Sequence, residues 1–358
     1  MGRRRFLQLA LATTAAGSLG YARVAAPAEP SNTLLRARRL LKTAVAIDMH
    51  SHVGGTAPRW VLHDFPDVRA GGLSAVCIAA VSDEPVLGHT DKDRVYATRE
   101  PNPGEFHDFT LERLDFAEHA MREFDMIRID TADDLRSAKA RKKAGLLLAT
   151  EGGDFLEGRL DGLELLYRRG VRHFQLVHYR ADNGLADIQT EAPRYDGATP
   201  FALDVVRACN KLGVIVDVAH ATLPAVRQIA EVSATPLILS HTQYVDKPGR
   251  RSRHINREHA ELIRASGGVV GQWINATDFP DYAAFAESLA RLADAIGVDH
   301  VGIGSDMHGL FHPLLRAYIR FPELIAPLFD HFSEEEVGKI IGGNYLRVFE
   351  AVECAARH

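Results

Sequence analysis

The chain has 358 residues, 46% hydrophobic and 25% charged, which suits an ordinary globular protein with one large domain or two small ones. Its formal charge of −5, with no basic stripe, argues against nucleic acid as a partner. The three cysteines, Cys77, Cys209 and Cys354, are odd in number and form no C-x-x-C pair, which argues against both a disulfide framework and a cysteine zinc site.

The first residues read as an export signal. Arg3-Arg4-Arg5-Phe6-Leu7 opens a charged segment, and a short alanine-rich apolar run follows to Gly20. That run holds roughly fourteen apolar residues, short of the about twenty that a membrane span needs, so no transmembrane segment is expected. The arginine pair followed by Phe-Leu resembles the twin-arginine signal, which carries folded proteins to the periplasm; an arginine-rich Sec signal is the alternative. Residues 1–28 are read as this signal, 29–43 as an N-terminal approach segment with a basic, polar helix over 31–42, and 44–350 as the main domain.

From residue 44 the chain alternates between short apolar runs and amphipathic stretches. Strands are expected at 44–49, 73–81, 145–150, 171–177, 213–219, 236–240, 268–274 and 300–305. The runs are continuous rather than period-two, as in parallel strands covered on both faces. Helices are expected at 105–125, 160–169, 201–212, 223–231, 258–265 and 282–296, with two more across 333–350 joined at Gly342-Gly343-Asn344. The stretches 56–67, 84–104 and 184–199 read as loops. Eight βα units within about 300 residues predict a (β/α)8 TIM barrel. An open doubly wound sheet is the runner-up, weakened because no glycine-rich phosphate loop follows the first strand.

The strand ends carry the chemistry. The first ends in His50 and His52, whose i, i+2 spacing puts both imidazoles on one face. The third ends in Glu151, the fourth in His178, the fifth in Asp217-Val218-Ala219-His220, the sixth in His241 and the eighth in Asp306. Each has an ordinary explanation alone: a satisfied wall histidine, a helix N-cap, a turn cap. In a barrel, however, these ends meet at one rim, where active sites sit. Imidazoles and carboxylates without thiolates suit zinc, and also manganese, iron or cobalt. The donors exceed what one tetrahedral zinc needs, and a bridging carboxylate at Glu151 would let two divalent ions sit side by side.

With these segments in hand the chain resembles the membrane (renal) dipeptidase family of zinc peptidases, within the amidohydrolase-like barrels. The segments that carry the resemblance include Asp48-Met49-His50, Arg69-Ala70-Gly71-Gly72, Glu151-Gly152-Gly153, Val177-His178, Asp217-Val218-Ala219-His220, Ser240-His241, Gly302-Ile303-Gly304-Ser305-Asp306 and Gly343-Asn344-Tyr345-Leu346-Arg347. The resemblance implies that His50 ligates the first metal, Glu151 bridges both, and His220 and His241 hold the second. It implies that Asp306 is the acid/base that moves the proton of the attacking water, and that His178 contacts substrate and oxyanion. Arg253 falls where the family binds the substrate's carboxylate, with Arg250 and Arg251 close by. The sequence departs from the pattern twice. His52 stands where the family usually has Asp, and Ser305-Asp306-Met307-His308-Gly309 replaces Ser-Asp-Phe-Asp-Gly. His-x-His is the usual pair of the wider superfamily, so His52 is expected to ligate metal in a site one charge more positive. The function expected is hydrolysis of a dipeptide or related small amide. The alternatives are a lactone, β-lactam or N-acyl amide hydrolase, or a non-hydrolytic maturation or binding protein. The sequence leaves the oligomeric state open, a homodimer included.

Overall fold

Eight parallel strands follow one another around a barrel in chain order: β1 (Ile47–Ser51), β2 (Ala75–Val81), β3 (Gly145–Glu151), β4 (Val171–Gln175), β5 (Ile215–Asp217), β6 (Ile238–Thr242), β7 (Val269–Gln272) and β8 (Val301–Ile303). This computed structural model describes residues 31–52 and 64–357. The expected export signal and residues 56–63 of the first expected loop lie outside them. The ring closes just beyond β8. Ser51 bridges Met307 in parallel, the His52 amide donates to the Met307 carbonyl at 2.9 Å, and the Asp306 amide donates to His50 at 3.0 Å.

The apolar runs form strands because both faces are covered, and alternation divides the side chains between two layers. Ala75, Cys77, Leu147 and Ala149 point inward with Ile47, Met49, Ile215, Ile238 and Val269. Their neighbours Val76, Ile78, Leu146 and Leu148 face the helices outside. Burial of this kind contributes roughly 25 cal/mol per Å² of apolar surface. The inner layer is completed by Tyr345, Val348, Phe349 and Val352 of the C-terminal helix Asn344–Ala356. That helix is brought to the N-terminal end of the barrel by a glycine turn. A Cβ at Gly342 would stand 2.5 Å from the Val45 carbonyl oxygen, so the turn closes on the chain entering β1 only without a side chain.

The six expected barrel helices are present within a residue or two of their expected ends. The helix Pro200–Leu212 starts as its sequence suggests, with Thr199 accepting from the Ala202 amide and proline at the first position. Three readings need correction. A helix, Ala132–Ala140, stands between β2 and β3 where none was expected; Thr131 and Asp134 form its capping box. The region 84–104 is not a plain loop. It holds the turn Glu84–Val86 and a hairpin of Leu87–His89 with Val95–Ala97. The helix Asp64–Ala70 begins inside the stretch 56–67 that reads as loop.

Candidate active site

All of the strand-end residues that the sequence singles out converge on the C-terminal rim. Glu151 is the centre, and it is 1% exposed. Its Oε2 lies 3.5 Å from His50 Nε2 and 3.4 Å from His52 Nε2. Its Oε1 lies 3.1 Å from His220 Nε2, 3.5 Å from His241 Nε2 and 3.5 Å from His178 Nε2. Oε2 therefore faces one pair of imidazoles, and Oε1 faces a second pair together with His178. Within the pairs, the Nε2 atoms of His50 and His52 are 3.3 Å apart, and those of His220 and His241 are 3.2 Å apart. Asp306 Oδ1 stands 2.9 Å from His52 Nε2 and 4.0 Å from His50 Nε2.

Two buried carboxylates hold these side chains in place. Asp48 joins the ends of β1 and β8: it accepts from the Ser305 amide at 2.8 Å, from the Ser305 hydroxyl and from Tyr318 Oη at 2.6 Å. Asp217 joins β5 and β6: it accepts from the Ala219 amide at 2.9 Å, the Ser240 amide at 3.1 Å and His173 Nε2 at 3.0 Å. Ser240 Oγ meets His241 Nδ1 at 2.8 Å and orients its ring. The backbone itself is strained here. His220, Asp306 and His308 have φ of 69°, 52° and 65°, a left-handed region that non-glycine residues occupy at a cost and often at functional sites. Gly309 leaves the space they need, since a Cβ there would fall 2.1 Å from Asp306 Oδ1 and 2.6 Å from the His52 ring.

Charge follows from these contacts. Burial disfavours ionisation of Glu151, but the fields of His178 and His50 and the histidine hydrogen bonds overcome it and hold its pKa well below the usual carboxylate range. Burial, with Arg253 nearby, pushes His220 well down, and His241 falls through burial and its neighbour His50. Both are thus neutral imidazoles, the form that ligates a metal. Burial acts against charge on His178 as well, yet Asp83 and Glu151 push it up to about 9.

The donor set fits a divalent cation. Imidazole nitrogens face one another in pairs within hydrogen-bond distance, and the buried Glu151 Oε2 has no hydrogen-bond donor, an arrangement that is costly unless a cation completes it. The groups His50–His52–Glu151, Glu151–His178–His220 and His50–His241–Asp306 each bring three donor atoms within 4.8 Å of one another. His178 and Asp306, read from the sequence as substrate and proton-transfer groups, therefore also stand within ligand reach.

A cavity of about 540 Å³ opens onto this centre, lined by Glu151, His178, Asp306, Arg253, Tyr179 and Trp273 among others. Arg253 is buried, makes no ion pair among the described residues, and lies over Trp273 and Tyr179. Its neighbours Arg250 and Arg251 are exposed and do not line the cavity. Two residues at the site escaped the sequence reading. Asp83 accepts from His178 Nδ1 at 2.7 Å and from the amides of Tyr179 and Arg180. Glu84 lines the cavity. Both follow the end of β2, so extending the rim rule to that strand would have found them.

A parallel (β/α)8 barrel with paired histidines around one buried carboxylate at its C-terminal rim has the make-up of a metallohydrolase-type barrel. Within it, this chain belongs to the membrane dipeptidase family, peptidase family M19, whose family model matches residues 36–358. It is similar to dipeptidase tcpJ of Claviceps purpurea, 28% identical over 69% of this chain and 60% of that protein. It is also similar to dipeptidase aclJ of Aspergillus oryzae, 32% identical over 59% of this chain and 52% of that protein. The matches thus span somewhat over half the length of these relatives. Among solved structures, PvdM of Pseudomonas aeruginosa shares the fold with a TM-score of 0.76 at 20% identity, covering 92% of this chain and 100% of that one.

Proposed function

We propose that the chain is a dipeptidase that works with two divalent cations, zinc foremost. His50, His52 and Glu151 would hold one, and Glu151, His220 and His241 the other. When bound, such a pair lowers the pKa of a water and polarises a carbonyl. The chain's own groups supply the rest. Asp306 takes a proton from the attacking water and returns it to the leaving nitrogen. His178, positive and fixed by Asp83, donates to the oxygen on which negative charge develops. Arg253, buried and without a carboxylate partner among the described residues, takes the substrate's terminal carboxylate. The cavity's size suits a small ligand.

The observation that carries this reading is the division of Glu151, with one oxygen against His50 and His52 and the other against His220 and His241. The dipeptidase names of the fungal relatives agree with it. The test is a panel of dipeptides, a carbapenem, a lactone and an N-acyl amino acid offered to zinc-loaded protein. Dipeptide turnover above the others is expected. Turnover of only a non-peptide class would overturn the reading, and no turnover would favour a maturation or binding role.

We also propose twin-arginine export to the periplasm. Changing Arg3-Arg4 to Lys-Lys should leave the protein in the cytoplasmic fraction; unchanged arrival in the periplasm would point to Sec.

A further inference from the structure

The geometry points to Glu84 as the group that receives the substrate's ammonium, so that the enzyme reads both ends of an unblocked dipeptide, with Arg253 at the carboxylate. This assignment rests on the dipeptidase reading and deepens it.

Four carboxylates line the cavity: Glu84, Asp93, Glu151 and Asp306. Three are already engaged. Asp93 pairs with His312 at 3.0 Å, Asp306 with His52 at 2.9 Å, and Glu151 sits among the imidazoles. Among the described residues the Glu84 side chain makes no hydrogen bond or ion pair of this kind; its Oε2 is shut off from solvent without a donor, while the residue as a whole stays partly exposed in the cavity wall. Glu84 lines the cavity together with His52 at the end of β1 and His178 beyond β4. The basic neighbour, Arg113, is drawn to Glu112 at 2.7 Å and lies over the Phe109 ring.

The position of Glu84 is set rather than loose. Asp83 is clamped by His178 Nδ1 at 2.7 Å, the Tyr179 amide at 3.1 Å and the Arg180 amide at 3.0 Å. The tight turn Glu84–Val86 starts at the next residue, stiffened by Pro85 and anchored by the fully buried Val86. The backbone at Glu84 therefore keeps a fixed relation to His178. A carboxyl group in a cavity wall with no donor of its own among the described residues favours a charged N–H donor, and a ligand lacking one leaves it unpaired. Among small amides, the donor that distinguishes an unblocked dipeptide from an N-acyl amino acid is the terminal ammonium.

The test compares Gly-L-Ala with N-acetyl-Gly-L-Ala on zinc-loaded wild type and Glu84→Gln. Wild type should prefer the unblocked peptide in kcat/KM by roughly 10–100-fold, the scale of one hydrogen bond to a charged group. Glu84→Gln should lose that factor on Gly-L-Ala, mainly through KM, and leave the acetylated peptide unchanged, with metal content as in wild type. Retention of the preference within threefold overturns the assignment, as does an equal loss on both peptides. If Glu84→Gln does not fold, Glu84→Asp decides: its shorter reach should raise KM for Gly-L-Ala alone, and an unchanged KM overturns the assignment. These results leave the dipeptidase reading standing. Wild type that cleaves neither peptide overturns that reading and the assignment with it.

Discussion

Asp306→Asn is expected to lower kcat by about 10²–10⁴-fold, the usual contribution of a general acid–base group, while fold and metal content stay as in wild type. The amide has the shape of the carboxylate but cannot accept a proton at neutral pH, so the proton leaving the attacking water has no carrier to the leaving nitrogen. The local structure makes this substitution clean. Asp306 has a φ of 52°, and asparagine tolerates that left-handed conformation as readily as aspartate. The turn beyond it is closed by main-chain bonds from the Gly309 and Leu310 amides to the Asp306 carbonyl, at 3.0 and 3.2 Å, which the substitution keeps. A side chain that served only to cap the turn would change the melting temperature and spare the rate. One that served as a ligand, which its distance of 2.9 Å from His52 Nε2 permits, would lower the metal content. Metal content, melting temperature and kcat on one preparation separate the three roles. A variant within threefold of wild type in kcat refutes the proton-carrier role.

Glu151→Gln should cost more. Its two oxygens serve both histidine pairs, and a carboxamide supplies one oxygen and one NH₂ in their place. One pair would then face a donor where it needs an anion, and the site loses a negative charge in a position 1% exposed. Loss of an outer partner weakens a metal site by about 10–100-fold; loss of a shared ligand should exceed that for both ions. Elemental analysis is expected to show less than about one equivalent of metal per chain, with turnover at background. Two retained equivalents would mean that Glu151 does not bridge.

Much of this arrangement was legible in the sequence because it rests on local rules. Buried parallel strands read as unbroken apolar runs, and residues at their ends share a rim, so His50, Glu151, His178, His220, His241 and Asp306 could be grouped before any distance was known. His50 and His52 were legible as a pair from their i, i+2 spacing. What escaped depended on tertiary context. The helix Ala132–Ala140 is short, with Leu135 as its one large buried side chain, and its only sharp signal is the Thr131–Asp134 capping box. The hairpin Leu87–His89 with Val95–Ala97 has strands of three residues each, too short to set up a period. Asp83 and Glu84 follow a strand whose end looks like ordinary polar chain; their place at the site emerges only when the fold sets His178 Nδ1 2.7 Å from Asp83. The sequence singles out Arg253 on the resemblance alone; the structure adds that it is buried while Arg250 and Arg251, within four residues of it, are exposed.

The most direct test is made on wild-type protein stripped with chelator and titrated with zinc, reading bound metal and Gly-L-Ala hydrolysis from the same samples. The account predicts no turnover in stripped protein, and a rise that levels off at about two equivalents per chain, one for each oxygen of Glu151. Full turnover after stripping, or a plateau reached below about one equivalent, would contradict it.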